Sequence, residues 1–247
     1  MISAPAPRIS VVVPAFNESK LIERCLHSID TAFEAAGVPA EAREIIVVDN
    51  GSTDDTGARA KGTGVRVVHE PVRQISRARN AGAKFARGEW LVFLDADSWP
   101  ARGLVEDMLL AMADPKTVGG GATLRMEPLP PTLRVLMWAW NLCSRCMRWA
   151  AGSFVFCRRD AFEAVNGFDT TLFAGEEINL SRKLKTYANW RSMRFVILSG
   201  NPLCTSARKG ELYSPGEIVG ALGRMILHPR RFFRDPALCS VWYDGRR

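Results

Sequence analysis

The clearest pattern along the chain is a run of apolar and β-branched residues from Ile9 to Val13, stopped at Pro14, and three more runs of the same kind: Glu44 to Val48, Val65 to Val68 and Trp90 to Leu94. Short apolar runs bounded by polar or turn-forming residues predict buried strands. Between them, Glu18 to Ala36, Asp54 to Lys61 and Ser76 to Arg87 carry apolar residues at helical spacing, as in Leu21, Ile22, Cys25, Leu26 and Ile29, and predict helices. Strand alternating with helix predicts an open α/β sheet, mostly parallel. Such sheets bind ligands beyond the carboxyl ends of their strands, so the residues that follow each strand are the first candidates for chemistry.

Those residues are polar. After the first strand comes Pro14-Ala15-Phe16-Asn17-Glu18, where Asn17 suits a helix N-cap and Glu18 a first helical turn. After the second comes Asp49-Asn50-Gly51-Ser52-Thr53-Asp54-Asp55, in which Ser52 and Asp55 have the spacing of a capping box and Asp49 is left without a structural role. The fourth run ends in Asp95-Ala96-Asp97. Two carboxylates this close at a strand end suit one hard cation such as Mg²⁺ or Mn²⁺, which takes carboxylates together with substrate phosphates. The competing reading is that Asp97 caps a helix beginning near Pro100. Further on, Gly175-Glu176-Glu177 opens a helix with Ile178, Leu180 and Leu184 on its apolar side, where acids also suit the helix dipole.

Pro14-Ala15-Phe16-Asn17-Glu18, Val47-Val48-Asp49-Asn50-Gly51-Ser52-Thr53-Asp54, Ala78-Arg79-Asn80-Ala81-Gly82, Asp95-Ala96-Asp97 and Gly175-Glu176-Glu177 stand in the order seen in family 2 glycosyltransferases of the GT-A fold. The chain resembles that family from about Ile9 to Leu184. The resemblance implies transfer of a sugar from a nucleotide-sugar donor, UDP- or GDP-linked, with inversion at the anomeric carbon, to a glycan or lipid-linked acceptor. It implies that Pro14, Ala15, Glu18 and Asp49 flank the base and ribose and that Arg79 lies near base or phosphate. Asp95 would face ribose or sugar, and Asp97, with Asp95, would hold Mg²⁺ or Mn²⁺. The family usually shows Glu-Asp at the last motif and uses the second acid as base, so Glu177 is the expected base and Glu176 the alternate. Gly152 and Ser153 would approach the sugar, in a strand followed by a short helix from Arg158 to Phe162. Polymerising relatives carry Gln-x-x-Arg-Trp after the base, whereas here Trp190-Arg191 has Tyr187 in place of the Gln, so processive synthesis is not expected.

The expected organisation is one GT-A domain over residues 1–247: a nucleotide-sugar half at 8–115, an acceptor half at 116–200 and a basic extension at 201–247. Two other classes compete with this reading. A nucleotidyltransferase would show a Gly-rich first loop with a following Arg and Lys, where this chain has Pro14 to Glu18. A non-catalytic nucleotide-sugar-binding module would lack one of the acids.

Composition, 47% apolar and 24% charged, excludes disorder and provides for a full core. The net charge of +7 is uneven: Arg182 to Arg247 holds 13 Lys and Arg against 4 Asp and Glu, and the rest 20 against 22. Such an end suits phosphates or anionic lipid, or is a solvated surface; nucleic acid is not an expected partner. The longest charge-free run, Phe195 to Ala207, is broken by Gly200, Asn201 and Pro202, and the start has no signal-peptide pattern, so a cytoplasmic protein is expected. Cys143 and Cys146 form the closest cysteine pair, without the nearby histidines a metal site would need. From Leu133 to Trp149 the residues Leu133, Leu136, Met137, Trp140, Cys143 and Met147 make a helical stripe beside Arg134, Arg145 and Arg148, which reads either as a core face or as a peripheral membrane contact.

Overall fold

The computed structural model describes residues 8–127, 131–150, 152–208, 220, 229–235 and 237–239. Along the chain the elements are β1 (Ile9–Ala15), α1 (Ile22–Ala35), β2 (Arg43–Asp49), α2 (Thr56–Gly62), β3 (Arg66–His69), α3 (Ile75–Phe85), β4 (Trp90–Leu94), β5 (Ser98–Trp99), α4 (Arg102–Ala113), β6 (Thr117–Glu127), α5 (Pro131–Met147), β7 (Phe154–Arg158), α6 (Arg159–Ala164), α7 (Glu176–Trp190), β8 (Arg194–Ser206) and α8 (Pro229–Phe232).

The eight strands form one sheet in the order β3-β2-β1-β4-β7-β6-β8-β5. The first four are parallel, as the strand-helix alternation predicts, and β7 is the antiparallel strand that joins them to the parallel pair β6 and β8. Every residue of β1 is buried, because helices cover both faces of the sheet. One core packs α1 and α4 against Val11, Val13 and Val92, and the other packs α3, α6 and α7 against Val12, Phe93 and Val155. Phe93, Phe162 and Phe168 interlock in the second core, with ring centroids 4.9–5.7 Å apart.

The first strand continues through Pro14 instead of stopping there. Its pairing with β4 ends at Val12 opposite Phe93, so beyond that point no ladder bond toward β4 calls on the missing N–H of Pro14. Two glycine-bearing elements explain how the layers come so close. On α3 a Cβ at Gly82 would lie 2.3 Å from Val12 Cγ1 and 2.9 Å from Val48 Cγ2, so the helix rests directly on β1 and β2. In β6 a Cβ at Gly120 would meet Val196 O at 2.3 Å and the Phe156 ring at 2.8 Å.

The capping expectations are corrected. Asn17 is not an N-cap: α1 starts after Leu21, and Asn17 takes φ 52°, a left-handed conformation that asparagine tolerates. Ser52 and Asp55 make no capping box; Ser52 Oγ accepts from the Asn17 N–H at 3.1 Å, and Asp54 Oδ1 accepts from the Thr56 N–H at 3.0 Å. The helix after Asp97 is capped at Ala101 with no side-chain bond, so Asp97 is not a helix cap. Of the basic extension, Arg208, Arg231 and Arg234 are described; Lys209, Arg224, Arg246 and Arg247, and the side chains of Leu133 and Arg230, lie outside the described residues.

Candidate active site

The C-terminal ends of β1, β2 and β4 open on one edge of the sheet, and the loops there hold each other in register. Asn17 Oδ1 accepts from the Thr53 N–H at 2.8 Å, and Thr56 Oγ1 accepts from the Glu18 N–H at 2.8 Å. Asp49 does have a structural role: its Oδ1 accepts the Ser52 N–H at 2.9 Å, which ties the loop back to the strand tip, while Oδ2 lies 3.7 Å from His69 Nδ1. Pro14 and Ala15 are buried at the end of β1.

Arg79 is the hub. It sits one turn before Gly82 on the sheet-facing side of α3, so the close approach that Gly82 allows sets its position. The guanidinium is buried and reaches three elements: Nη1 donates to Glu176 Oε1 at 2.8 Å, and Nη2 donates to Asp95 Oδ1 at 2.9 Å and to the Gly152 carbonyl at 2.7 Å. The face of Phe168 lies 5.2 Å away. Burial alone would lower its pKa, but Asp95, Glu176 and Glu177 outweigh that and hold it charged. A planar fork holds its donors to two carboxylates and a carbonyl in fixed directions, where a lysine offers a point charge on a flexible stem.

Glu177, next to Glu176 at the start of α7, has no such partner. Its Oε2 is buried without a hydrogen bond, and a Cβ at Gly152 would lie 2.7 Å from its Oε1, so the glycine leaves room for the carboxylate. Burial, and then the neighbouring Glu176, push its pKa up to about 8, with Arg79 offsetting part of the rise.

A second cluster forms around Asp97. Arg208, just past the end of β8, donates through Nη2 to Glu18 Oε1 at 2.8 Å and Oε2 at 3.0 Å, and lies 3.9 Å from Asp97 Oδ2. Thus Arg79, Asp95 and Glu176 are joined directly, as are Glu18, Arg208 and Asp97, while Asp49 is held apart in its own loop. Sequence reasoning placed Arg208 in the basic tail and missed it as a site residue; its only signal was its position immediately after an apolar run at a strand end.

The family model for glycosyl transferase family 2 matches residues 10–163. The chain belongs to this family. Its Glu176-Glu177 pair lies beyond the matched stretch. A pre-mycofactocin glycosyltransferase of Mycobacterium tuberculosis is 28% identical over 202 residues, 74% of this chain and 40% of that protein, so this family 2 chain spans well under half of that relative's length. Among solved structures, a mannosyltransferase from Pyrobaculum calidifontis in complex with GDP-Man and Mn²⁺ superposes with a TM-score of 0.65 at 24% identity, covering 90% of this chain and 62% of that one. S. aureus TarS 1-349 in complex with UDP-GlcNAc gives 0.64 at 18%, covering 96% and 71%. These likenesses establish the GT-A architecture expected from the motifs.

Proposed function

We propose that the chain transfers a sugar from a UDP- or GDP-sugar to an acceptor hydroxyl with inversion, and that Glu177 is the base. The observation that carries this reading is a carboxylate with a raised pKa, unpartnered at Oε2, held one residue from Arg79-bound Glu176 on the edge where Asp95 and the β1 and β2 loops converge. The acceptor oxygen attacks the anomeric carbon from the face opposite the diphosphate, its proton passes to Glu177, and the nucleoside diphosphate leaves with the electrons of the broken C–O bond. Inversion follows from the single displacement. Glu176 has one oxygen committed to Arg79, which leaves Glu177 the better placed of the two.

On this reading Asp97 and Asp95 would hold a divalent metal. No group of three or more His, Cys, Asp or Glu that could hold an ion occurs among the described residues. Mg²⁺ or Mn²⁺ at a diphosphate commonly takes only one or two carboxylates, and Asp97 with Asp95 provides them; Asp95 has Oδ1 engaged by Arg79. When bound, such an ion supplies positive charge against the diphosphate. Pro14, Ala15, Glu18 and Asp49 surround the base and ribose, and Arg79 and Arg208 add fixed positive charge toward the phosphates.

Glu177→Gln should keep donor affinity, measured by calorimetry with UDP- and GDP-sugars and Mn²⁺, while turnover falls ~10²–10⁴-fold. The rise of wild-type activity with pH toward about 8 should vanish in the variant. Unchanged turnover would remove Glu177 from the mechanism. Donor binding without turnover in the wild type would leave a nucleotide-sugar-binding module.

A further inference from the structure

The helix α5 (Pro131–Met147) is anchored by one face and leaves an apolar face toward solvent. Asn141 fixes it to β6, accepting from the Leu124 N–H at 3.0 Å and donating to the Leu124 carbonyl at 2.9 Å. Met137 and Trp140 pack on the core and Ser144 is fully buried, so 137, 140, 141 and 144 define the inward side at helical spacing. The sequence stripe is corrected accordingly: Leu136 and Met147 are about half exposed, at 53% and 47%. The outward side is more apolar still, with Val135 65% exposed, Trp138 66% and Leu142 45%. Soluble surfaces seldom expose a contiguous patch of this kind without a partner.

Charge indicates which partner. No Asp or Glu occurs between Glu127 and Asp160, while Arg134 and Arg145 are exposed along one border of the apolar face. At the C-terminal end of α5 lies a pocket of ≈ 440 Å³ lined by Cys146, Met147, Arg148, Arg182 and Lys185. Lys185 Nζ donates to the Met147 carbonyl at 2.7 Å, and neither Arg148 nor Arg182 has a carboxylate partner among the described residues. Burial and then the nearby Arg182 and Arg148 lower the pKa of Lys185. No described helix is long and apolar enough to cross a membrane, so the arrangement suits a helix lying on a bilayer.

We propose that α5 docks on an anionic lipid bilayer, with Val135, Trp138 and Leu142 entering the acyl boundary and the Arg148, Arg182 and Lys185 pocket receiving a headgroup phosphate. Trp138, apolar in its body and polar at its N–H, fits the headgroup level. The chain passes from α5 through Ala150 to Gly152, beside Glu177, so a docked helix would present the candidate base to the membrane surface. This goes beyond the proposed reaction and does not depend on it.

Sedimentation with vesicles of phosphatidylcholine alone, and with 30% phosphatidylglycerol (about one lipid in three), tests the docking without any turnover. The protein should pellet with the anionic vesicles at low salt and much less with the neutral ones, and partition should fall as salt screens the pocket. Leu142→Glu should abolish binding, and Arg182→Gln and Lys185→Gln should each weaken it about fivefold. In case Leu142→Glu misfolds, bromine-labelled acyl chains should quench wild-type tryptophan fluorescence more than that of Trp138→Phe, a substitution mild enough to leave the helix intact. Absence from the anionic pellet at low salt, equal quenching in the two proteins, or light scattering that shows this face pairing two copies instead of binding vesicles would overturn the proposal.

Discussion

At the scale of single residues, the site is a contrast between two adjacent acids. Glu176 is neutralised by Arg79 at 2.8 Å, and Glu177 is left with an unpartnered oxygen and a pKa pushed up to about 8. That contrast has a stability signature. Between the ordinary carboxylate value near 4.5 and about 8, the folded protein holds a proton that the unfolded chain releases, so stability falls as pH rises through that window. Glu177→Gln removes the titration. Its melting temperature should exceed that of the wild type at pH 8.5, and the gap should close toward pH 4.5; a gap independent of pH in thermal melts would count against a raised Glu177. Much of this residue layer was legible in the sequence: Arg79, Asp95, Asp97, Glu176 and Glu177 were all singled out by motif. Motif could not show that Arg79 binds Glu176 and Asp95 together, because 97 residues separate Arg79 from Glu176 and only the fold brings them into contact. Arg208 stayed hidden for the same reason, since its partner Glu18 lies 190 residues away and only the fold brings the two together.

At the scale of elements, the first half followed the sequence closely because its strands are short apolar runs between amphipathic helices, and β4 matches its apolar run, Trp90 to Leu94, end to end. The strand β6 was not legible: Gly119-Gly120-Gly121 carries the signal of a turn, yet Phe156, Cys157 and Val196 on neighbouring strands leave no space for a side chain at Gly119 and Gly120, and Ala150 leaves none at Gly121. The same close packing makes α3 sensitive. Gly82→Ala drives a methyl into Val12 and Val48, so the helix must lift from the sheet and carry Arg79 with it. A loss of about 1–3 kcal/mol in urea unfolding is expected, together with weaker donor binding by calorimetry. Retained stability and affinity would mean that α3 does not set the Arg79 position.

At the scale of the whole molecule, the proposed nucleotide and acceptor halves share one continuous sheet through the antiparallel β4–β7 pair, and the Arg79–Glu176 ion pair crosses the same seam. Half of that seam lies in each proposed half, so neither has a complete sheet alone. Unfolding should therefore be a single transition, with far-ultraviolet circular dichroism and tryptophan fluorescence melting at the same denaturant concentration. Two separated transitions would make the halves independent domains.

The bridge from Arg208 to Glu18 spans 190 residues of sequence, which gives it a meaning in time as well as in space. During synthesis, at ~5–20 residues per second, Glu18 leaves the ribosome roughly 10–40 s before its partner. Through that interval the β1 loop can join the β2 loop, since Asn17 and Thr53 are only 36 residues apart, but Arg208 is not yet present to bridge to Glu18. The nascent chain therefore passes through a stage in which the β1 and β2 loops can pair while Glu18 still lacks its partner, and the segment that follows β8, the last described strand, supplies it.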